Sequence, residues 1–344
     1  MIGLTPAPPA QRPSIEAMTP PRIVLVAGTG RSGTSTLAGI LRRLGLHVPQ
    51  PEVPPDASNP KGFGEPRWVV DFHDELLDRA RVQVSDARPD ARLGAARAAA
   101  DPAVRRRLGA WLGPQLDRGR QVLVKDPRLL WFVPLWCDAA RDAGVEPAFV
   151  TMLRPPAEVI GSKRTQYNRG LADPHGAAAW LNLTLGTERA TRGAERAYVH
   201  YHRLLADWET QADELATRLR LEVSGDVRVR SEVAEFVDPG LRRVRAGADE
   251  LDLPDRLETL VRDTWTAMEE LATDPDAVRA QERLDAVDAD YTAYYAESES
   301  IARSSIIAAG PGRPPAPAAG RRRAAPLRTW WRRSTGVASG SSPR

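Results

Sequence analysis

The segment Ile23-Val-Leu-Val-Ala-Gly28-Thr-Gly30-Arg31-Ser32-Gly33-Thr34-Ser35-Thr36-Leu37 limits the possible folds more than any other part of the chain. Its aliphatic run predicts a strand buried on both faces, its glycines permit a sharp reversal, and the residues after Gly33 open a helix. The backbone N–H groups of such a turn can face an anion. The alternation recurs downstream. Strands are predicted at Arg22–Ala27, Gln121–Lys125, Pro147–Leu153 and Ala197–Tyr201. Helices are predicted at Thr34–Leu44, Pro66–Ala80, Pro102–Asp117, Leu129–Ala143, Pro156–Asn168, His175–Arg192 and His202–Arg218. The fold class that follows is α/β, an open and mostly parallel sheet flanked by helices, with ligands outside the carboxyl ends of its strands. Gly28, Lys125-Asp126 and Arg154 each follow a predicted strand, so they should converge on one crevice.

Organisation follows from composition. Six prolines fall in the first 21 residues, which predicts a disordered leader over 1–21. A single folded domain is expected over 22–300, and a disordered Arg/Pro-rich tail over 301–344. Residues 303–344 hold nine arginines and no acid, so the net charge of +3 belongs to the tail and the preceding residues are net acidic. That removes overall basicity as an argument for nucleic-acid binding. One cysteine, Cys137, cannot form an internal disulfide, and no secretory leader is visible, so a cytoplasmic location is expected. Five histidines and one cysteine show no ligand spacing, and no metal is expected.

The loop matches G-x-G-x-x-G formally, but no acidic residue ends a second strand at the distance a dinucleotide would need; Glu52 lies among prolines. It also has the spacing Gly28-x₄-Gly33, but Thr34 stands where a phosphate-binding lysine would be required, which disfavours an ATPase or kinase. Arg31, within Arg-Ser-Gly-Thr-Ser, is the loop's cation. A second anion site is suggested by Leu153-Arg154-Pro-Pro-Ala-Glu-Val-Ile-Gly-Ser162, where a guanidinium leaves a strand and a hydroxyl follows two helical turns on. Between them lies Val124-Lys125-Asp126-Pro127-Arg128. Lysine is scarce here, with Lys61, Lys125 and Lys163 the only three, and at a strand end it supplies a compact ammonium where arginine would supply a fork.

Taken in order, Gly30-Arg31-Ser32-Gly33-Thr34-Ser35, Lys125-Asp126-Pro127-Arg128 and Arg154 through Ser162 resemble the superfamily of sulfotransferases that use 3′-phosphoadenosine-5′-phosphosulfate (PAPS), particularly its bacterial and carbohydrate- or tyrosylprotein-type branch. The similarity runs from about Arg22 to Trp208. It implies a P-loop NTPase-like fold, a loop of Gly30, Arg31, Ser32, Gly33, Thr34 and Ser35 around the 5′-phosphosulfate, and Arg154 with Ser162 on the 3′-phosphate. Tyr201, in Val199-His-Tyr201-His-Arg-Leu, would lie near the adenine. The chain departs from the pattern at His202, where an acid is common, at Thr36, where cytosolic members place an aromatic, and at Pro127, where they carry the catalytic histidine.

The base must therefore be sought elsewhere. Glu65, in Asn59-Pro-Lys61-Gly62-Phe-Gly64-Glu65-Pro66, resembles the Gly-Glu segment that supplies it in tyrosylprotein sulfotransferases; Asp126 competes, and His73 is a third candidate. The expected roles are Glu65 as base, with Arg31 and Lys125 stabilising the phosphosulfate and the leaving oxygen. The expected reaction is in-line transfer of a sulfuryl group from PAPS to a hydroxyl or amine of a small-molecule, carbohydrate or lipid acceptor, with no nucleic-acid partner. Two alternatives stay open: a small-molecule kinase that lacks its usual lysine, and a non-catalytic nucleotide-binding or membrane-peripheral protein using Arg321-Arg322-Arg323 and Trp330-Trp331-Arg332-Arg333 on an anionic surface.

Overall fold

A computed structural model describes residues 21–56, 59–166, 170, 172–237 and 251–309. The proline-rich leader, the segment around Arg242-Arg243 and the basic segment with its tryptophan pair lie outside the described residues.

The strands are β1 (Arg22–Ala27), β2 (Gln121–Lys125), β3 (Pro147–Leu153) and β4 (Glu195–His200). All pairings are parallel, in the order β2-β1-β3-β4. Alternation along β1 sends Ile23 and Leu25 into one layer and Val24 and Val26 into the other. Both faces are therefore apolar, as a parallel sheet covered on both sides requires.

One layer holds α1 (Thr34–Arg43), α8 (Tyr201–Ala206), α9 (Trp208–Arg218) and α10 (Val227–Phe236), which pack on Val24, Val26, Val150 and Val199. Opposite lie α2 (Arg67–Ala80), α3 (Ala91–Ala99), α4 (Pro102–Arg118), a 3₁₀ turn at Leu129–Trp131 and α5 (Val133–Asp142). A further core, centred on Trp180, Met268 and Tyr291, gathers α6 (Pro156–Gln166), α7 (Asp173–Thr191), α11 (Asp255–Thr273) and α12 (Val278–Ala309). The chain divides into a compact unit ending at Ala296 and a second unit from Glu297, and the α12 backbone runs helically past position 301 to Ala309.

Two predicted helices are broken. The helix expected over His202–Arg218 divides at Asp207, whose carboxylate accepts from the Thr210 N–H at 3.1 Å and caps α9. The helix expected over Leu129–Ala143 becomes a 3₁₀ turn and α5, divided at Phe132, because Pro134 is tolerated only in the first turn of a helix.

Candidate active site

Because the four strands are parallel and adjacent, everything that follows their C-terminal ends shares one edge. Val26 pairs with Lys125, Ala27 with Thr151, and Leu153 with His200, so the glycine loop, Lys125-Asp126, Arg154 and Tyr201 emerge side by side.

The loop leaves backbone N–H groups that can face an anion. Gly33 caps α1 at φ +100° with no side-chain hydrogen bond, and no acidic residue occupies the first turn, so the helix N-terminus keeps its uncompensated N–H groups. Gly30 faces open space. From the neighbouring strand, Lys125 places its Nζ 3.2 Å from Ser35 Oγ. The same ammonium donates to Glu65 Oε1 at 2.5 Å, and both side chains are buried.

Glu65 reaches this position on a hairpin-like connection. Glu52 bridges Pro66 antiparallel, the Val53 N–H donates to the Glu65 carbonyl at 2.8 Å, and the Arg67 N–H donates to the Pro51 carbonyl at 2.8 Å. Lys61 pins the loop to α10, donating to the Phe236 carbonyl at 2.6 Å, while the Phe236 ring sits where Gly39 of α1 has no Cβ and stacks 3.9 Å from the Arg43 guanidinium. Burial pushes the Glu65 carboxyl above the ordinary range, Lys125 opposing and Asp126 reinforcing the shift.

The second set of groups centres on Arg154. Its Nε donates to Glu158 at 2.8 Å, one of its terminal nitrogens donates to the Arg31 carbonyl at 3.0 Å, and its guanidinium lies 4.8 Å from the centre of the Tyr201 ring. Arg31 adopts φ +75°, and its Nε donates to Ser162 Oγ at 3.1 Å. Two guanidiniums and one hydroxyl thus gather where α6 meets the loop.

This geometry redistributes several expected roles. Arg31, expected beside Lys125, turns its guanidinium to Ser162 and joins the second set. Ser32 belongs to the underside of the loop: it is 1% exposed, its N–H closes a turn on Thr29, its hydroxyl is buried with no hydrogen-bond partner among the described residues, and it lines a cavity of about 20 Å³ with Thr151, Arg154 and Trp180, too small for a phosphate. Thr34 is also buried, leaving its backbone N–H at the helix start as the group it can offer. Tyr201 is 4% exposed, hydrogen-bonded to Thr36 and packed under Arg154 and Gly33, so it holds the loop and presents no open face for a base to stack on.

Asp126 and His73 are likewise committed. His73 Nε2 accepts from the Trp136 indole N–H at 2.9 Å, so its proton sits on Nδ1 and is donated to Asp126 at 2.7 Å. The other Asp126 oxygen accepts from Arg128 at 2.8 Å, and Arg128 also donates to Asp74 at 2.6 Å. Burial alone would raise the Asp126 carboxyl, but Arg128 and His73 outweigh it and hold it well below the ordinary range. A fully buried carboxylate with both oxygens occupied and weak proton affinity is a poor base.

Glu158, Arg128 and Trp136 were not singled out from sequence. Arg128 stands within the Lys125-Asp126-Pro127-Arg128 motif and Glu158 four residues after Arg154, whereas Trp136 carries no sequence signal. Among the described residues, no group of three or more His, Cys, Asp or Glu could hold a metal, and no helix is long and apolar enough to cross a membrane.

No protein-family model matches the chain, and no curated protein matches its sequence. Solved structures similar to it include the sulfotransferase domain of the Synechococcus PCC 7002 olefin synthase, with TM-score 0.40 and 17% identity over 72% of this chain and 95% of that one. The sulfotransferase domain of the curacin biosynthetic pathway gives TM-score 0.39 and 14% identity over 72% and 98%. Sulfotransferase STF1 of Mycobacterium tuberculosis H37Rv gives TM-score 0.34 and 17% identity over 66% and 74%.

Proposed function

We propose that this chain is a sulfotransferase that moves a sulfuryl group from a PAPS-type donor to a hydroxyl or amine of an acceptor. The observation that carries the reading is the pairing of two separate cation-and-hydroxyl sets on one sheet edge: Lys125 with Ser35 at the loop, and Arg31, Arg154 and Ser162 beside it. A nucleotide with phosphate at both ends of its ribose accounts for both sets; a nucleoside triphosphate accounts for one.

Sulfuryl transfer asks mainly for positioning and for charge stabilisation at the departing oxygen. Lys125 and the α1 N-terminus would hold the phosphosulfate, and Arg154, Arg31 and Ser162 the far phosphate. Glu158 fixes Arg154 in place through its Nε, and Arg154 fixes the loop through the Arg31 carbonyl. The ammonium of Lys125 cannot serve Glu65 and a phosphosulfate equally. As the donor draws Lys125 away, Glu65 stays buried with less countercharge, its proton affinity rises, and it becomes a base for the acceptor hydroxyl.

Glu65→Gln tests the assignment in single-turnover sulfation. The rate should fall by about 10²–10⁴ with donor affinity retained. In the parent protein the acid limb of the rate profile should lie above the ordinary glutamate range, since a raised base loses activity as pH falls through its raised pKa. An unchanged single-turnover rate in Glu65→Gln would remove Glu65 as the base.

A further inference from the structure

The last nine residues of α12 are helical and exposed, yet they are largely apolar. Ile301, Ile306 and Ile307 are 69%, 72% and 79% exposed, and Ala302, Ala308 and Ala309 are exposed beside them. At about 100° per residue, Ala308, Ile301, Ser305, Ala309, Ala302 and Ile306 share an arc of roughly 160°. The one hydroxyl in that arc is taken up internally, Ser305 Oγ donating to the Ile301 carbonyl at 2.8 Å. The charged pair, Arg303 with Glu299 at 2.7 Å, lies outside that arc, on the side that also carries Ile307. This helix end is therefore amphipathic, and its apolar face has no partner among the described residues of its own unit.

The sequence that follows carries the complementary signal. From Arg303 to Arg344 there are nine arginines and no acidic residue, including Arg321-Arg322-Arg323 and the run Trp330-Trp331-Arg332-Arg333. Tryptophan beside arginine suits a membrane–water boundary, where the indole occupies the headgroup level and the guanidinium meets lipid phosphate. A short apolar face alone binds a bilayer only marginally, and stable attachment takes a second signal, which a cluster of basic residues supplies. We infer that the C-terminal end of α12 and the arginine-rich segment beyond it dock together on an anionic lipid surface.

Charge selects this occupant over a second copy of the chain. Side-by-side α12 ends would bring two nine-arginine segments together, whereas an anionic bilayer attracts them and accepts the isoleucines as well.

Co-sedimentation of the full chain with vesicles tests the inference. Vesicles with about one-third phosphatidylserine in phosphatidylcholine should bind the protein, and pure phosphatidylcholine should not. Each basic residue near the surface contributes roughly fivefold in partition, so Arg321→Ser, Arg322→Ser and Arg323→Ser together should weaken binding at least about tenfold. Raising salt to about 0.5 M should weaken the parent similarly. Ile301→Ser with Ile306→Ser, which leaves the charge unchanged, should also weaken binding severalfold. Both variants should melt like the parent, because the positions lie on the exposed helix end or beyond it. Four results would overturn the inference: equal binding to neutral vesicles, no binding, binding unaffected by the isoleucine changes, or dimerisation lost in the isoleucine variant without vesicle binding in the parent. Displacement from vesicles by duplex DNA of equal charge, insensitive to the isoleucines, would assign the basic segment to nucleic acid.

Discussion

Gly33→Ala should be the most damaging single-methyl change in the loop. Gly33 sits at φ +100°, a conformation that costs an alanine about 1–2 kcal/mol. A Cβ there would also lie 2.1 Å from Tyr201 Cδ2 and 2.7 Å from its Cε2. The ring cannot yield cheaply, because it is 4% exposed, carries Arg154 at 4.8 Å and is tied to Thr36. Overpacking of that kind costs about 1–3 kcal/mol, so the whole penalty is about 2–5 kcal/mol. With a melting shift of about 2–4 °C per kcal/mol for domains of this order of size, the midpoint should fall by roughly 5–20 °C. Chemical denaturation of Gly33→Ala, Tyr201→Ala and the double variant separates the two terms. Removing the ring relieves the collision but not the backbone strain, so Gly33→Ala should cost only about 1–2 kcal/mol on the Tyr201→Ala background, a coupling of at least about 1 kcal/mol. Equal cost on both backgrounds, or a single variant within about 0.5 kcal/mol of the parent, would refute the account of how this loop is held.

Three further outcomes are expected. Asp126→Asn should destabilise by about 3 kcal/mol in urea melts, because Arg128 and His73 lose a buried charged partner; a neutral result would mean that the network is dispensable. Lys163 rests on Ser85 Oγ at 3.1 Å, and burial pushes its ammonium down to about 8. The folded state thus pays to keep that proton below pH 8 and is relieved as pH rises toward the unfolded value, so Lys163→Met should stabilise by about 1–2 kcal/mol at pH 7 and progressively less toward pH 10.5; a gain that does not depend on pH would contradict this. Arg154→Ala should weaken binding of adenosine 3′,5′-bisphosphate by at least about tenfold in calorimetry while leaving AMP affinity within about threefold; equal losses for both would remove the 3′-phosphate assignment.

The sheet was legible because its strands are continuous aliphatic runs that only a doubly covered parallel sheet buries; β1, β2 and β3 have the predicted limits. Parallel order then carried the sites, since Lys125 ends β2, Arg154 follows β3 and Arg31 lies in the loop after β1. Side-chain direction was less accessible. Ser32 reads like its neighbours in Arg-Ser-Gly-Thr-Ser, but the reversal at Arg31, φ +75°, sends it beneath the loop and Arg31 toward Ser162. The commitment of His73 to Asp126 and Trp136 joins residues 53 and 63 positions apart, and the Lys61–Phe236 contact spans 175. No local pattern encodes such pairs; they follow from which faces of α2, α5 and α10 the packing brings together.

In the proposed function, one crevice holds two phosphates on opposite ends of a nucleoside. Titration of the full chain with adenosine 3′,5′-bisphosphate and with AMP, each with and without magnesium, tests it most directly. The bisphosphate should bind at least about tenfold more tightly than AMP and indifferently to magnesium, as two charge-assisted sites imply. Equal affinity for the two ligands, or binding that appears only with ATP and magnesium, would contradict it.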